Sequence, residues 1–284
     1  MTDASQRRAL LGLIGAPIHH SAAPLMHEAA GESCHIRVHY QLIEVPGANR
    51  NMLQALLQSL RWMEFDGVNV TFPYKEAVVP LLDALDDAAR TIGAVNTITV
   101  RNGQLTGHNT DTTGFERALI EAGLHPAAGP IALIGAGGVG RAIGFALARL
   151  GVPDLRIVDR DPLKAEALAA DIRPFCDAHA SLNAVTACQD TVGMVNATPI
   201  GMLPDTGMPV PVEVLHSDRW VADVVYYPLL TPLLTAARAA GAKTVTGRTM
   251  TVHQAADAFT LFTGVQPSLE IMYRAFDGIM AART

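Results

Sequence analysis

The sequence is poor in the features that mark several common protein classes. Its 284 residues hold only three cysteines, Cys34, Cys176 and Cys188, too scattered for a metal-ligand spacing or a disulfide framework. Such cysteines read as reduced thiols, so a cytoplasmic protein is expected. Charged residues make up 17% of the chain, the formal net charge is −6, and no basic cluster occurs. A nucleic-acid-binding surface is therefore not expected. No apolar run is long enough to span a bilayer, and the stretch Met1 to Arg8 lacks the apolar core of a secretory signal. Histidines gather early in the chain, at His19, His20, His27, His35 and His39, without a helical pair flanked by a catalytic acid. They read as surface and turn residues, and no metal is expected. Internal repeats and low-complexity linkers are absent too.

What is present is apolar: 49% of the residues are hydrophobic, enough for a packed globule. The length suits two domains or one large one. In the middle runs Ile131-Ala-Leu-Ile-Gly135-Ala136-Gly137-Gly138-Val139-Gly140, an apolar strand entering glycines at 135, 137 and 140 and then an alanine-rich helix. That arrangement suits a dinucleotide pyrophosphate. The first glycine permits the turn, the second lets backbone approach phosphate, and the third lets helix pack on strand. The helix N-terminus offers free N–H groups to the phosphates. Three glycines also serve ordinary strand-to-helix turns, so a second feature is needed. Leu155-Arg-Ile-Val-Asp159 supplies it, a strand ending in an acid about 20 residues past the loop, where a ribose-binding carboxylate falls.

Strand and helix patterns alternate on both sides of this stretch. Strands are predicted at Leu10 to Gly15, Val38 to Val45 and Gly67 to Thr71, and helices at Pro24 to Gly31, Asn51 to Leu60 and Lys75 to Leu85. Asn102-Gly103 predicts a tight hairpin turn. After a helix from Asp111, strands are predicted at Ile131, Leu155, Gly193, Trp220 and Lys243, and two closing helices at Thr251 to Phe262 and Ser268 to Ala282. The expected fold class is α/β with two domains: an N-terminal α/β domain and a Rossmann-type, doubly wound parallel sheet, the C-terminal helices returning to the first. Expected boundaries are 1–111 plus 248–284 for the substrate domain, and 112–247 for the dinucleotide domain.

Ligands of open α/β sheets sit beyond the carboxyl ends of the strands. There the sequence carries Ser21 after the first strand, Asn69 and Thr71 through Lys75 after the third, Asn96 and Thr97 in the hairpin, and Asn109-Thr110-Asp111 before the linking helix. Each has a plain structural explanation, such as a turn hydrogen bond for Asn69, a helix cap for Asp111 or a solvated head group for Lys75. Together they gather one lysine, one aspartate and several neutral donors at one rim.

These residues resemble the shikimate/quinate dehydrogenases. The resemblance rests on Asn69-Val-Thr-Phe-Pro-Tyr-Lys75, Gly93-Ala-Val-Asn-Thr97, Asn109-Thr-Asp111, the glycine loop, Asn196-Ala-Thr-Pro-Ile-Gly-Met202, Asp223-Val-Val-Tyr226 and Thr231-Pro232, in family order along nearly the whole chain. It implies an oxidoreductase that interconverts a ring hydroxyl and a ketone of a hydroxylated cyclic carboxylate, in aromatic amino acid biosynthesis or a catabolic counterpart. By position Lys75 and Asp111 match the catalytic pair. Ser21, Thr71, Asn96, Gln254 and Tyr226 match substrate-binding positions, and interdomain packing is the plain alternative for the last two. Gly135 to Gly140, Asp159, Arg160, Asn196, Thr198, Val225 and Gly247 match cofactor-binding positions. Relatives that use NADP carry Asn-Arg-Thr where this chain has Asp159-Arg160-Asp161. A carboxylate there accepts from ribose hydroxyls and repels a 2′-phosphate, so NAD is expected in preference to NADP, with Arg160 stacking on adenine.

The chain also departs from the resemblance. A Ser-x-Ser or Ser-x-Thr loop is usual, and here it is Ser21-Ala22-Ala23; Glu28 and Thr251 replace a usual Asn and Leu. The missing hydroxyl leaves the substrate open among shikimate, quinate and another cyclic, even amino-substituted, polyol acid. A redox-inert NAD-binding regulatory protein is the alternative of a different class. The expected assembly is a monomer or homodimer.

Overall fold

Two six-stranded sheets organise the chain in the computed structural model, which describes residues 7–283. They belong to two compact units. One ends at Thr110 and resumes at Val252, and the other runs Asp111–Thr251. The expected boundaries were 111 and 247, one and a few residues away.

The first unit contains β1 (Arg8–Gly15), α1 (Ala23–Ser33), β2 (Arg37–Glu44), α2 (Arg50–Trp62), β3 (Gly67–Val70), β4 (Ala84–Leu85), α3 (Asp87–Ile92), β5 (Thr97–Arg101) and β6 (Gln104–His108). Its sheet order is β2-β1-β3-β5-β6-β4. β1 pairs in parallel with β2 and β3, while β5 is antiparallel to both β3 and β6. The hairpin turns at Asn102 and Gly103, both at positive φ, the combination that Asn-Gly accepts at low cost. Helix α2 forms because Asn49 caps it, accepting from Met52 N–H, and because Leu53, Leu57 and Leu60 recur on one face. That face packs with Ile14, Val68, Val70, Ile98 and Leu105 in the core.

The second unit contains α4 (Asp111–Glu121), β7 (Ile131–Ile134), α5 (Gly138–Arg149), β8 (Asp154–Val158), α6 (Pro162–Ile172), β9 (Asp177–Ala180), α7 (Ala184–Ala187), β10 (Gly193–Asn196), β11 (Trp220–Asp223), α8 (Pro232–Ala239) and β12 (Thr244–Val245). Its sheet is parallel throughout, in the order β12-β11-β10-β7-β8-β9. The chain therefore enters at the centre, winds outward through β8 and β9, and returns to wind outward through β10 to β12. The switch point lies between β7 and β10, where such sheets bind ligands. Helices α9 (Gly247–Thr263) and α10 (Leu269–Ala281) end the chain, and α10 packs on α1 of the first unit.

One predicted element is corrected. Lys75 to Leu85 is not a helix but a run of turns, a short 3-10 helix at Val79–Leu81 and the strand β4. Pro80 explains this, since its ring has no N–H to donate and crowds the carbonyl four residues back. Lys75 is tied by its backbone, its carbonyl accepting from Val95 N–H.

Candidate active site

The glycine loop is built by close approach. Gly135 sits at φ +106, and a Cβ on it would lie 2.9 Å from the Ala197 carbonyl and from Thr198 Cγ2. A Cβ on Gly140 would lie 2.0 Å from the Gly135 carbonyl oxygen, so α5 can rest on the strand end only with glycine there. Gly137 precedes α5 at the cap position without a side-chain cap, leaving the first-turn N–H groups to an anion. Gly138 and Val139 form that first turn, half-buried.

Asp159 stands just past β8 and is fixed from two sides. Its Oδ2 accepts from Ala136 N–H at 2.8 Å and its Oδ1 from Asp161 N–H at 2.9 Å. Each oxygen keeps a further lone pair for a hydroxyl. Arg160 is exposed beside it. These features fit a dinucleotide.

On the other side of the switch point, the loops after β10 and β11 carry Asn196, Thr198, Val225 and Tyr226. Asn196 and Asp223 are buried, Thr198 and Tyr226 half-buried. Asn196 Oδ1 accepts from the N–H and hydroxyl of Thr198 at 3.0 and 2.7 Å, and its Nδ2 donates to the Ile200 carbonyl and to Asp223 Oδ1. Gly247 closes the group, because a Cβ there would meet the Val224 and Val225 carbonyl oxygens at 2.5 and 2.8 Å. Burial pushes the Asp223 carboxyl up to about 6, against hydrogen bonds from Thr231, Val225 and Asn196 that favour the charged form.

In the first unit the strand ends converge on Asn96, which is buried. Its Oδ1 accepts from Thr110 N–H at 2.9 Å and from the Thr97 hydroxyl at 3.0 Å, and its Nδ2 donates to Thr110 Oγ1 and to Gln254 Oε1 at 3.4 Å. The structure thus joins Asn96 and Gln254, 158 residues apart in sequence. Lys75 is anchored next to them, its carbonyl accepting from Val95 N–H. Asp111 follows Thr110 directly and opens α4. Both ionisable side chains are buried, Lys75 at 8% and Asp111 at 4% exposure, which a structural reading of a solvated lysine does not accommodate. Thr71 follows β3 directly, and Gly15 makes room for it: a Cβ at Gly15 would lie 2.3 Å from Thr71 Cγ2. Ser21 accepts from Ala23 N–H at 3.2 Å.

Sequence reasoning missed the support behind these residues. Tyr40 donates to Asn69 Oδ1 at 2.8 Å, and Asn69 Nδ2 donates to the Asn96 carbonyl and Thr97 Oγ1. Only the placement of Asn69 at a strand end hinted at this. Glu28 is turned to structure, accepting from Tyr40 N–H. The histidines are not all surface residues: His27 and His253 are buried, because helical periodicity sets His27 on the same covered face as Met26 and Ala30. The three cysteines are free thiols. Among the described residues one group could hold a cation, Asp154, Asp177 and His179, but Asp154 is already engaged by Arg156 at 2.9 Å. No described helix is long and apolar enough to cross a membrane.

An all-parallel doubly wound sheet with an uncapped glycine-loop helix, an acid at the adjacent strand end and a separate α/β unit defines a two-unit, nucleotide-binding oxidoreductase class. Comparison with known proteins agrees. Residues 13–98 match the shikimate dehydrogenase substrate binding domain and residues 247–275 the shikimate 5'-dehydrogenase C-terminal domain. The chain is 42% identical to the quinate/shikimate dehydrogenase (NAD(+)) of Corynebacterium efficiens, over 94% of this chain and 97% of that one. It is 42% identical to the shikimate dehydrogenase (NADP(+)) of Streptomyces avermitilis, over 91% of each. Among solved structures, quinate dehydrogenase from Corynebacterium glutamicum in complex with NAD is similar at a TM-score of 0.86 and 40% identity, covering 96% of this chain and 99% of that one. The chain belongs to the shikimate dehydrogenase family.

Proposed function

We propose that the protein is an NAD-dependent dehydrogenase that interconverts a ring hydroxyl and a ketone of shikimate, quinate or a close hydroxylated cyclic carboxylate. The observation that carries the reading is Asp159, pinned between Ala136 and Asp161 N–H groups at the lip of an uncapped glycine-loop helix. Relatives named for NAD and for NADP both exist at 42% identity, so the choice of nucleotide rests on this carboxylate. Two like charges ~4 Å apart repel by about 4 kcal/mol at the dielectric of a protein surface, enough to disfavour a 2′-phosphate.

Gly135 to Gly140 and Asp159 would hold the dinucleotide, which would supply a hydride acceptor for the alcohol carbon. The chain must then take the hydroxyl proton and hold the substrate. Lys75 Nζ and the Asp111 carboxylate are the proposed proton-handling pair. Removing that proton as the carbon–hydrogen bond breaks is worth ~10²–10⁴ in rate, and an ammonium at Lys75 stabilises alkoxide character at the oxygen. Ser21, Thr71, Asn96, Gln254 and Tyr226 are proposed to bind the carboxylate and hydroxyls. Asn96 and Gln254 already face each other, so a substrate hydroxyl would enter a formed polar rim.

The test is NAD reduction with shikimate and with quinate. Lys75→Ala and Asp111→Asn should each lose at least about 100-fold in kcat while still binding NAD. Normal turnover in both variants would remove the pair from the mechanism. In the same assay Ala23→Ser restores a hydroxyl beside Ser21. A hydrogen bond to a charged group is worth ~1.5–3 kcal/mol, so shikimate kcat/KM should rise about tenfold or more if shikimate is the ring acid. An unchanged value points to a different cyclic acid.

A further inference from the structure

Asn196 was expected to touch the cofactor, but its side chain has nothing left to offer. It is fully buried, both Nδ2 hydrogens are donated and both Oδ1 lone pairs are taken. Its role is to fold the loop that carries Thr198, and it does so from Asp223. The Asp223 carboxylate accepts from Asn196 Nδ2 and Val225 N–H through Oδ1, both at 3.0 Å, and from the Thr231 hydroxyl through Oδ2 at 2.7 Å. Thr231 in turn caps α8, accepting from Leu234 N–H at 3.2 Å. No lysine or arginine is among these partners. A carboxylate buried among neutral donors costs stability, as its raised proton affinity records. An apolar residue would fill that space at less expense, so the arrangement needs a reason beyond packing.

The reason lies in what the three donors hold. Val224 N–H donates to the Asn196 carbonyl, and Leu203 N–H to the Tyr227 carbonyl, so the two loops are laced together on either side of Asp223. The first loop lies against Gly135, where no Cβ fits between it and Ala197 and Thr198. The second lies against Gly247, whose Cβ would meet the Val224 and Val225 carbonyls. Asp159 takes the β8 side of the switch point, which leaves the β10–β11 side to the other half of a dinucleotide.

We propose that Asp223 is a positioning residue for the nicotinamide half of the nucleotide site, holding the loops after β10 and β11 through Asn196, Val225 and Thr231. Asn196 is then a second member of this scaffold and not a ligand contact. The proposal rests on the dehydrogenase reading only for its kinetic consequences; its consequence for nucleotide binding stands without turnover.

Asp223→Ala, Asp223→Asn and Thr231→Val test it, with NAD and NADP Kd measured by titration and KM and kcat measured with the better ring acid. In Asp223→Ala the Kd and KM of the preferred nucleotide should rise about tenfold or more and kcat should fall, with the KM of the ring acid within about twofold of wild type. Asp223→Asn should recover nucleotide Kd to within about threefold. Its carbonyl can take the Asn196 and Val225 donors while its amide faces the Thr231 oxygen. Thr231→Val should fall between the two. A folded Asp223→Ala protein with unchanged nucleotide Kd, an equal rise in both KM values, or an Asp223→Asn protein as impaired as Asp223→Ala would each overturn the proposal. If Asp223→Ala does not fold, Thr231→Val with unchanged Kd overturns it alone. A wild type that binds NAD but oxidises neither acid sinks the dehydrogenase reading and leaves the Kd comparison to judge Asp223. A wild type that binds neither nucleotide sinks both.

Discussion

His27 is enclosed by Tyr40, Phe259 and Phe262, with Tyr40 stacked at 4.8 Å between ring centroids, and neither of its ring nitrogens has a hydrogen-bond partner. Desolvation holds its pKa down to about 3, so it is neutral in the folded protein at any ordinary pH. The unfolded chain binds a proton near 6.5 that the folded chain refuses. Stability from this residue is therefore complete above pH 6.5 and lost as pH falls toward 3, at about 1.4 kcal/mol per pH unit when one proton is at stake. Asp223 has the opposite sign. Its folded pKa is raised to about 6, so its contribution is largest below about 4 and is lost as pH rises through 6. The two windows overlap, and in wild type they partly cancel between pH 4 and 6. In urea unfolding across that range the slope of stability against pH should fall by about one proton in His27→Leu and rise by about one proton in Asp223→Asn. Unchanged slopes in both variants would show that neither group titrates as its burial requires. Sequence periodicity could place His27 on a helix, but it could not tell the covered face from the open one.

At the scale of elements, the legible parts are those whose shape is dictated locally. The Asn102-Gly103 turn, the Asn49 cap and the glycine loop each follow from backbone conformations that few residues accept. The illegible parts depend on distant partners. The strand β4 exists only because β6 lies beside it. Two glycines separate these cases. A Cβ on Gly140 would lie 2.0 Å from the Gly135 carbonyl oxygen, backbone that cannot move aside, whereas one on Gly278 in α10 would have nothing within 4 Å. Gly140→Ala should cost about 1–3 kcal/mol by overpacking and weaken nucleotide binding about tenfold or more. Gly278→Ala should stabilise by about 0.5–1 kcal/mol, because alanine is the better helix former. Thermal unfolding and nucleotide titration check both, and a neutral Gly140→Ala would mean that α5 does not rest on Gly135.

At the scale of the molecule, the unit Asp111–Thr251 is inserted within the other, whose closing helix α10 returns to α1. Alternating strand and helix signals made the two-sheet architecture readable. The candidate site was readable as a set of strand-end residues, though not as the hydrogen-bonded chain that runs from Tyr40 through Asn69 and Thr97 to Asn96. Those bonds join residues from three separate stretches, and nothing in their spacing foretells them. The insertion also makes nucleotide choice measurable without any substrate. A ligand that binds only the folded state adds RT ln(1 + [L]/Kd), about 2.7 kcal/mol at 100 times Kd. NAD should therefore raise the midpoint of nucleotide-unit unfolding strongly, and NADP at the same concentration weakly, if Asp159, held by Ala136 and Asp161 N–H, takes the proposed ribose-binding role. Asp159→Ser removes the charge while keeping a hydroxyl. In that variant the NAD shift should shrink and the NADP shift should grow, with Arg160 free to pair with the added phosphate. A wild-type NADP shift equal to that of NAD, or an Asp159→Ser protein with the wild-type preference, would take the discrimination away from Asp159.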